Sequence, residues 1–320
     1  MGGTGDHRPE AAMRKLVVSE YLQEGFLDLL KASFDVVYDP DLYSDRPRLL
    51  AEVADAEAIF IRNRTRIDVE FLAAATDMRV VGRLGVGLDN IDMTACADAG
   101  VEVIPAVGAN AVSVAEYVMG AMLVLLRGVY GMTGSMVAGE WPRQGHAFGR
   151  EAMGKTVGLV GYGSIARHVA ARARAFEMRI VAYDPYLPED DAAWLTAERM
   201  DLGELFECAD VVSIHTPLNE QTKNLIDKAT LGLMKPNAIL INTSRGGTVD
   251  EVAVADALRS GVIGGAALDV FATEPLGPDP ASNFAGVPNL LLTPHVAGNT
   301  VESVDRVAMM IVTEVLEALS

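Results

Sequence analysis

Two cysteines in 320 residues are too few for a disulfide framework, and Cys96 and Cys208 stand far apart in apolar segments without metal or redox spacing. Both read as reduced core thiols of a cytoplasmic protein. Aromatic residues are scarce at 6%, yet half of the chain is apolar, so the core is aliphatic and a disordered chain is excluded. Basic residues are outnumbered, 26 against 44 acids, which leaves a net charge of −18. Such a field repels DNA, RNA and anionic membranes, and an acidic substrate would need locally clustered arginines. No apolar run of a secretory signal stands in the polar first ten residues, and Asp6 occupies the place where a myristoylation signal needs Ser or Thr. Residues 1–12 read as a loose tail, with folded structure expected from Met13.

What remains is an alternation of strand-like and helix-like segments. Short buried strands are expected at residues 15–19, 36–38, 58–61, 79–83 and 101–104, with stretches of helical period between them. A second series is expected at 156–160, 179–183, 211–214, 238–241, 264–268 and 290–292. Several of these are almost wholly apolar, as central parallel strands are, and six with intervening helices fit a doubly wound α/β sheet. Between the series lies a long apolar helix over 111–130, broken by Glu116 and Arg127. Those charges and the flanking βα units favour a buried helix over a membrane span. Residues 131–150, with Trp141, Pro142, His146 and Phe148, show little period. They read as an arm that packs on a partner subunit, with an ordinary surface loop as the alternative. The last segment, 300–320, has helical period and could cross back to the first layer, so that crossings near Gly108 and Val296 make a two-domain hinge.

The strand at 156–160 runs into Gly161-Tyr162-Gly163-Ser164-Ile165-Ala166, followed by a helix expected from Arg167. Gly161 permits the tight turn, Gly163 lets backbone approach a pyrophosphate at a helix N-terminus, and Ala166 suffices for close helix–strand packing. Asp184 ends the next strand, where an acid meets ribose hydroxyls. It would repel a 2′-phosphate, and Pro185 and Tyr186 rather than an arginine follow it, which favours NAD.

Three stretches near the end each offer one ionisable residue beside Gly, Pro or a small side chain. They are Asn242-Thr243-Ser244-Arg245-Gly246-Gly247, Asp269-Val270-Phe271-Ala272-Thr273-Glu274-Pro275 and Thr293-Pro294-His295-Val296-Ala297-Gly298. An arginine, a glutamate and a histidine at strand ends can grip a carboxylate, orient an imidazole and pass a proton. Among the five histidines, His7 lies in the tail, His146 in the arm and His168 in the helix after the fingerprint. His215 precedes Thr216-Pro217, where an adenine could lie, and His295 alone has the company an acid–base group needs.

With these blocks, and with Gly82-Arg83-Leu84-Gly85-Val86-Gly87-Leu88-Asp89-Asn90-Ile91-Asp92, Ser113-Val114-Ala115-Glu116 and His215-Thr216-Pro217-Leu218, the chain from about Lys15 onward resembles the D-isomer-specific 2-hydroxyacid dehydrogenase family. The resemblance implies a flavodoxin-like substrate domain at 13–107 and 297–320, an inserted Rossmann NAD-binding domain at 108–296, and a homodimer. It implies that Arg245 binds substrate, that Glu274 pairs with the histidine and that His295 is the acid–base catalyst. Backbone N–H groups of Val86 and Gly87 would hold the substrate carboxylate. Gly161, Gly163, Ser164, Ile165, Asp184, His215, Thr216, Pro217, Thr243, Arg245, Asp269, His295 and Gly298 would contact NAD, with Asp269 at the nicotinamide carboxamide; no metal is implied.

Three arginines in five residues, Arg62-Asn63-Arg64-Thr65-Arg66, are conspicuous in so acidic a chain. They read either as a solvated loop or as a second anion site on Arg62 and Arg64. Within the family this run is similar to that of sulfolactate dehydrogenases, while phosphoglycerate, hydroxypyruvate and glyoxylate remain alternative substrates. Formate dehydrogenases carry glutamine where Glu274 stands and are disfavoured. An NAD-sensing corepressor of the same fold is the reading from another functional class.

Overall fold

The computed structural model describes residues 13–143 and 149–320. Residues 1–12, with His7, and His146 and Phe148 of the expected arm lie outside the described residues. The chain forms two compact units, one running to Asn110 and including Thr300–Ser320, the other Ala111–Asn299.

In the first unit β1 (Lys15–Val18), β2 (Asp35–Tyr38), β3 (Ala56–Ile61), β4 (Val80–Arg83) and β5 (Glu102–Pro105) form a 5-stranded sheet in the order β2-β1-β3-β4-β5. Every pairing is parallel. Parallel strands need helical crossovers that cover both faces, so the inner strands are apolar without alternation. Leu16, Val18, Phe60 and Val80 pack with Ile311, Val312 and Val315 of helix Val301–Leu319 on one face. Val17, Ile59, Ile61 and Val81 pack with Leu49, Phe71 and Cys96 on the other. Aspartates start three short helices of this unit: the side chains of Asp45, Asp68 and Asp92 accept from the N–H groups of Arg48, Phe71 and Ala95.

In the second unit β6 (Thr156–Val160), β7 (Arg179–Tyr183), β8 (Glu198–Arg199), β9 (Val211–Ile214), β10 (Ile239–Asn242), β11 (Gly265–Leu268) and β12 (Leu290–Leu292) form a 7-stranded sheet in the order β12-β11-β10-β9-β6-β7-β8. All its pairings are parallel. The order reverses between β6 and β9, and in such sheets ligands bind outside the carboxyl ends at that switch point. One face carries helix Ala111–Arg127, whose Ala115, Val118, Met119 and Met122 join Val157, Leu159, Ile239 and Ile241. The other carries Leu205, Phe206, Val254 and Leu258 against Val160, Val212 and Leu240.

Several details depart from the sequence reading. β8 is an exposed, charged edge strand, and such strands carry no apolar signal. The helix after β6 starts at Ser164 rather than Arg167. The long helix stops at Arg127, and a 3₁₀ turn at Tyr130–Met132 and a helix at Thr133–Val137 follow, where the sequence shows little period. Cys96 is buried as expected, whereas Cys208 is only half-buried, with Sγ 3.5 Å from the Met200 sulfur. Among the described residues no single helix is long and apolar enough to cross a membrane; the pair Ala111–Arg127 and Tyr130–Val137, bent by 72°, passes on length and composition alone.

Candidate active site

The catalytic candidates of the second unit follow three adjacent strands. Arg245 lies three residues beyond β10, Asp269 directly after β11 with Glu274 five further on, and His295 three beyond β12. Because β10, β11 and β12 are parallel neighbours, all four residues fall at one edge of the sheet.

Buried polar side chains set each loop. Asn242, fully buried, donates from Nδ2 to the Arg245 carbonyl (3.0 Å), and its Oδ1 accepts from the Ser244 N–H and hydroxyl. The Arg245 guanidinium donates to the Ser244 carbonyl at 2.7 Å. Gly246 then passes so close to the next loop that an added Cβ would stand 1.8 Å from the Phe271 carbonyl carbon. The arginine loop is thus seated directly on the segment that leads to Glu274.

Glu274 bridges. One oxygen accepts from the Phe271 N–H (3.0 Å), and the other lies 2.7 Å from His295 Nδ1. An ionised carboxylate only accepts, so Nδ1 carries a proton and Nε2 is left for substrate. The next N–H, of Ala272, donates to Glu251 at 2.5 Å, and burial pushes the Glu251 carboxyl up, with Asp250 and Glu274 adding to it. His295 itself has φ 56, a left-handed conformation that histidine tolerates better than most side chains. Its N–H donates to the Asp269 carbonyl at 2.7 Å.

Asp269 is almost wholly buried, and its carboxylate accepts from the Thr293 hydroxyl (2.5 Å) and the N–H groups of Val296 (2.9 Å) and Ala297 (2.9 Å). Here it pins the histidine loop to β11, a framework role beside the coenzyme contact expected of it. Tyr117 supports the same point: its hydroxyl is 2.6 Å from Thr293 Oγ1, and burial raises its ionisation range.

The residues at the switch point fit a dinucleotide. Gly161, with φ 88, turns the chain against β9, and an added Cβ would lie 2.6 Å from the His215 carbonyl oxygen. Helix Ser164–Ala175 starts at Gly163 without a side-chain cap, so its first N–H groups suit a phosphate. No protein atom lies within 4 Å of where a Gly163 Cβ would stand, which leaves room for that group. Asp184 is held by the N–H groups of Tyr162 (2.8 Å), Tyr186 (3.0 Å) and Leu187 (3.2 Å). Beyond β9 and β10 the hydroxyls of Thr216 and Thr243 are buried without a partner among the described residues, as donors to a ligand are. His215 has Nε2 2.9 Å from Ser213 Oγ, and desolvation lowers it from 6.5 to about 4, so its ring is neutral. The residue keeps some accessible surface, but its imidazole is enclosed. Pro217 accepts from the Thr222 hydroxyl, and Gly298 lies in the turn after His295.

The other expected residues belong to the first unit. Arg62 and Arg64 follow β3, and Val86 and Gly87 follow β4, its parallel neighbour, so both loops lie at the carboxyl edge of that sheet. The buried Arg83 donates from Nε to the Gly87 carbonyl (2.9 Å). The Arg64 guanidinium bonds the Tyr43 hydroxyl and lies 5.0 Å over its ring, whereas that of Arg62 has no partner among the described residues. Sequence reasoning passed over Glu20, Tyr117 and Glu251; an acid just after an apolar strand was the available signal for Glu20.

Fold and site together define an oxidoreductase that transfers hydride with NAD. The chain belongs to the D-isomer specific 2-hydroxyacid dehydrogenases: the family's NAD binding domain matches residues 119–297. It is thus an NAD-dependent enzyme acting on the CH–OH group of 2-hydroxy acids. It is 50% identical to the (S)-sulfolactate dehydrogenase of Chromohalobacter salexigens over 96% of this chain and 99% of that one. A D-3-phosphoglycerate dehydrogenase of Mycobacterium leprae is 43% identical over 86% of this chain, but only 52% of that protein is covered. Among solved structures, a glyoxylate reductase from Paecilomyes thermophila superposes with a TM-score of 0.86 at 27% identity, covering 96% of this chain and 95% of that one.

Proposed function

We propose that the substrate is a 2-oxo acid with a second anionic group, of the sulfopyruvate–sulfolactate type. The carrying observation is the arginine loop after β3, set beside the Val86–Gly87 loop after β4 at one edge of one sheet. The similarity to (S)-sulfolactate dehydrogenase over nearly the whole of both chains supports the same reading. Backbone N–H groups of Val86 and Gly87 bind the carboxylate, and Arg62, assisted by Arg64, receives the second anion.

When bound, NADH supplies the hydride that reaches the keto carbon. His295 gives its Nε2 proton to the carbonyl oxygen as negative charge grows there, and the ring is left neutral. Arg245 pairs with the carboxylate and polarises the carbonyl with its planar fork. Glu274, 2.7 Å from Nδ1, fixes the orientation of the ring and leaves Nε2 toward the substrate. Reduction consumes a proton and oxidation releases one, so alkaline conditions favour oxidation. In this reading residues 13–107 and 297–320 serve the substrate and 108–296 the dinucleotide, with Gly161, Gly163, Ser164, Ile165, Asp184, His215, Thr216, Pro217, Thr243, Asp269 and Gly298 lining it. A homodimer is supported by exposed Tyr130, Val137 and Trp141 after the long helix, and a cytoplasmic location by two unpaired cysteines.

An NADH-oxidation assay over sulfopyruvate, phosphohydroxypyruvate, hydroxypyruvate and glyoxylate tests the reading. The highest kcat/KM is expected for sulfopyruvate. A preference for a singly charged acid would overturn the second anion site, and tight NADH binding with negligible turnover of all four would favour a sensor.

A further inference from the structure

The backbone of the Arg62–Arg64 turn is gripped from both sides. Glu20, two residues beyond β1, is only 4% exposed. Its Oε1 accepts from the N–H of Arg62 (2.8 Å), the N–H of Thr65 (3.0 Å) and the Thr65 hydroxyl (2.9 Å), and the Arg64 N–H lies 3.3 Å from both oxygens. From the opposite side Asn90 donates through Nδ2 to the carbonyls of Arg62 (3.1 Å) and Thr65 (2.6 Å). No cation pairs with Glu20 among the described residues. A buried carboxylate is costly unless charge-assisted bonds surround it, and here one turn provides them all. The guanidinium groups of the turn are therefore not spent on Glu20, and that of Arg62 stays uncommitted.

Asn90 also stands three residues after Gly87 in the same chain segment. One amide thus ties the arginine turn to the loop assigned to the substrate carboxylate. We propose that Glu20 and Asn90 are positioning residues that fix the spacing between the two anion-binding loops, and so select the length of doubly anionic acid the enzyme accepts. The proposal rests on the reading in which Arg62 receives the second anion.

The sign of the effect separates positioning from simple charge. Glu20 is negative, so through-space repulsion alone would make Glu20→Gln bind an anionic substrate more tightly. Positioning requires the opposite, because the neutral amide withdraws the charge assistance from these bonds and turns an N–H toward the Arg64 N–H that faces Oε2, which lets the guanidinium drift, and displacements near 1 Å cost about a hundredfold. The test measures KM and kcat for sulfopyruvate and kcat/KM for pyruvate, at enzyme concentrations that reveal slow turnover, in wild type, Glu20→Gln, Asn90→Ala and Arg62→Ala.

Glu20→Gln and Asn90→Ala are expected to raise the sulfopyruvate KM by about 10- to 100-fold with kcat within about 3-fold, while pyruvate changes by less than about 3-fold. If Glu20→Gln fails to fold, Asn90→Ala decides alone. Selective loss in Arg62→Ala with an unchanged or lower KM in the other two, or equal losses on both substrates, overturns the positioning role and spares the anion site. An unchanged sulfopyruvate-to-pyruvate ratio in Arg62→Ala refutes the anion site itself.

Discussion

In the proposed reaction His295 carries the proton, and two contacts hold it: a carboxylate at 2.7 Å on Nδ1 and a backbone bond to Asp269 that fixes its left-handed turn. Removing the imidazole removes the proton donor and leaves the Gly163 turn and Asp184 in place. His295→Ala should lower kcat by about 10²- to 10⁴-fold while NADH still binds and quenches protein fluorescence. Full turnover in that variant would take His295 out of the reaction. Asp184 offers a second single-residue test. In the proposed cofactor site its carboxylate, held by three N–H groups, would repel a 2′-phosphate, so Asp184→Ala should raise kcat/KM with NADPH relative to NADH by about tenfold or more. His215 also bears on stability. Its folded value, lowered to about 4 from 6.5, means that the unfolded chain takes up the proton first as pH falls. Stability from this group is complete above pH 6.5 and drains away toward about pH 4, by up to about 3 kcal/mol. Urea melts across that window should show a shallower decline in His215→Asn than in wild type.

At the scale of elements, the contact between the arginine loop and the glutamate loop is the tightest constraint. An added Cβ at Gly246 would stand 1.8 Å from the Phe271 carbonyl carbon, while one at Gly247 would meet only the Leu218 side chain at 3.0 Å. Backbone cannot give way as a leucine rotamer can. Gly246→Ala should therefore cost more than about 1–3 kcal/mol and most of the activity, and Gly247→Ala far less of either, as thermal melts and initial rates would reveal. Much of this level is legible in the residues. The central strands announce themselves because both faces are covered, and Gly161, Asp184 and Arg245 each stand within three residues of the end of such a run, while Glu274 lies six beyond β11 and His295 three beyond the edge strand β12. β8 is not legible, because an exposed edge of Glu and Arg looks like loop. Nor is Glu20: its partners are 42 to 45 positions away, and only the pairing of β1 with β3 brings them to it. For Asp269 the residues point to a coenzyme contact, and its hold on the loop 27 and 28 residues later is visible only in the fold.

For the whole molecule, a net charge of −18 sets the terms on which an anionic substrate arrives. The few arginines of the site work against a surrounding negative field, and salt weakens that field over about 10 Å at 0.1 M. The KM for sulfopyruvate should fall as ionic strength rises from low values, more steeply than the KM for a singly charged acid. A salt-independent KM would mean that the bulk charge does not reach the site.

The backbone twist at position 295 limits redesign. Asparagine, aspartate and glycine accept a φ near 56 at little cost, while branched side chains such as valine or threonine do not. A laboratory search for a substitute proton carrier should thus begin with short polar replacements, since a branched side chain would have to unwind the turn that aims it.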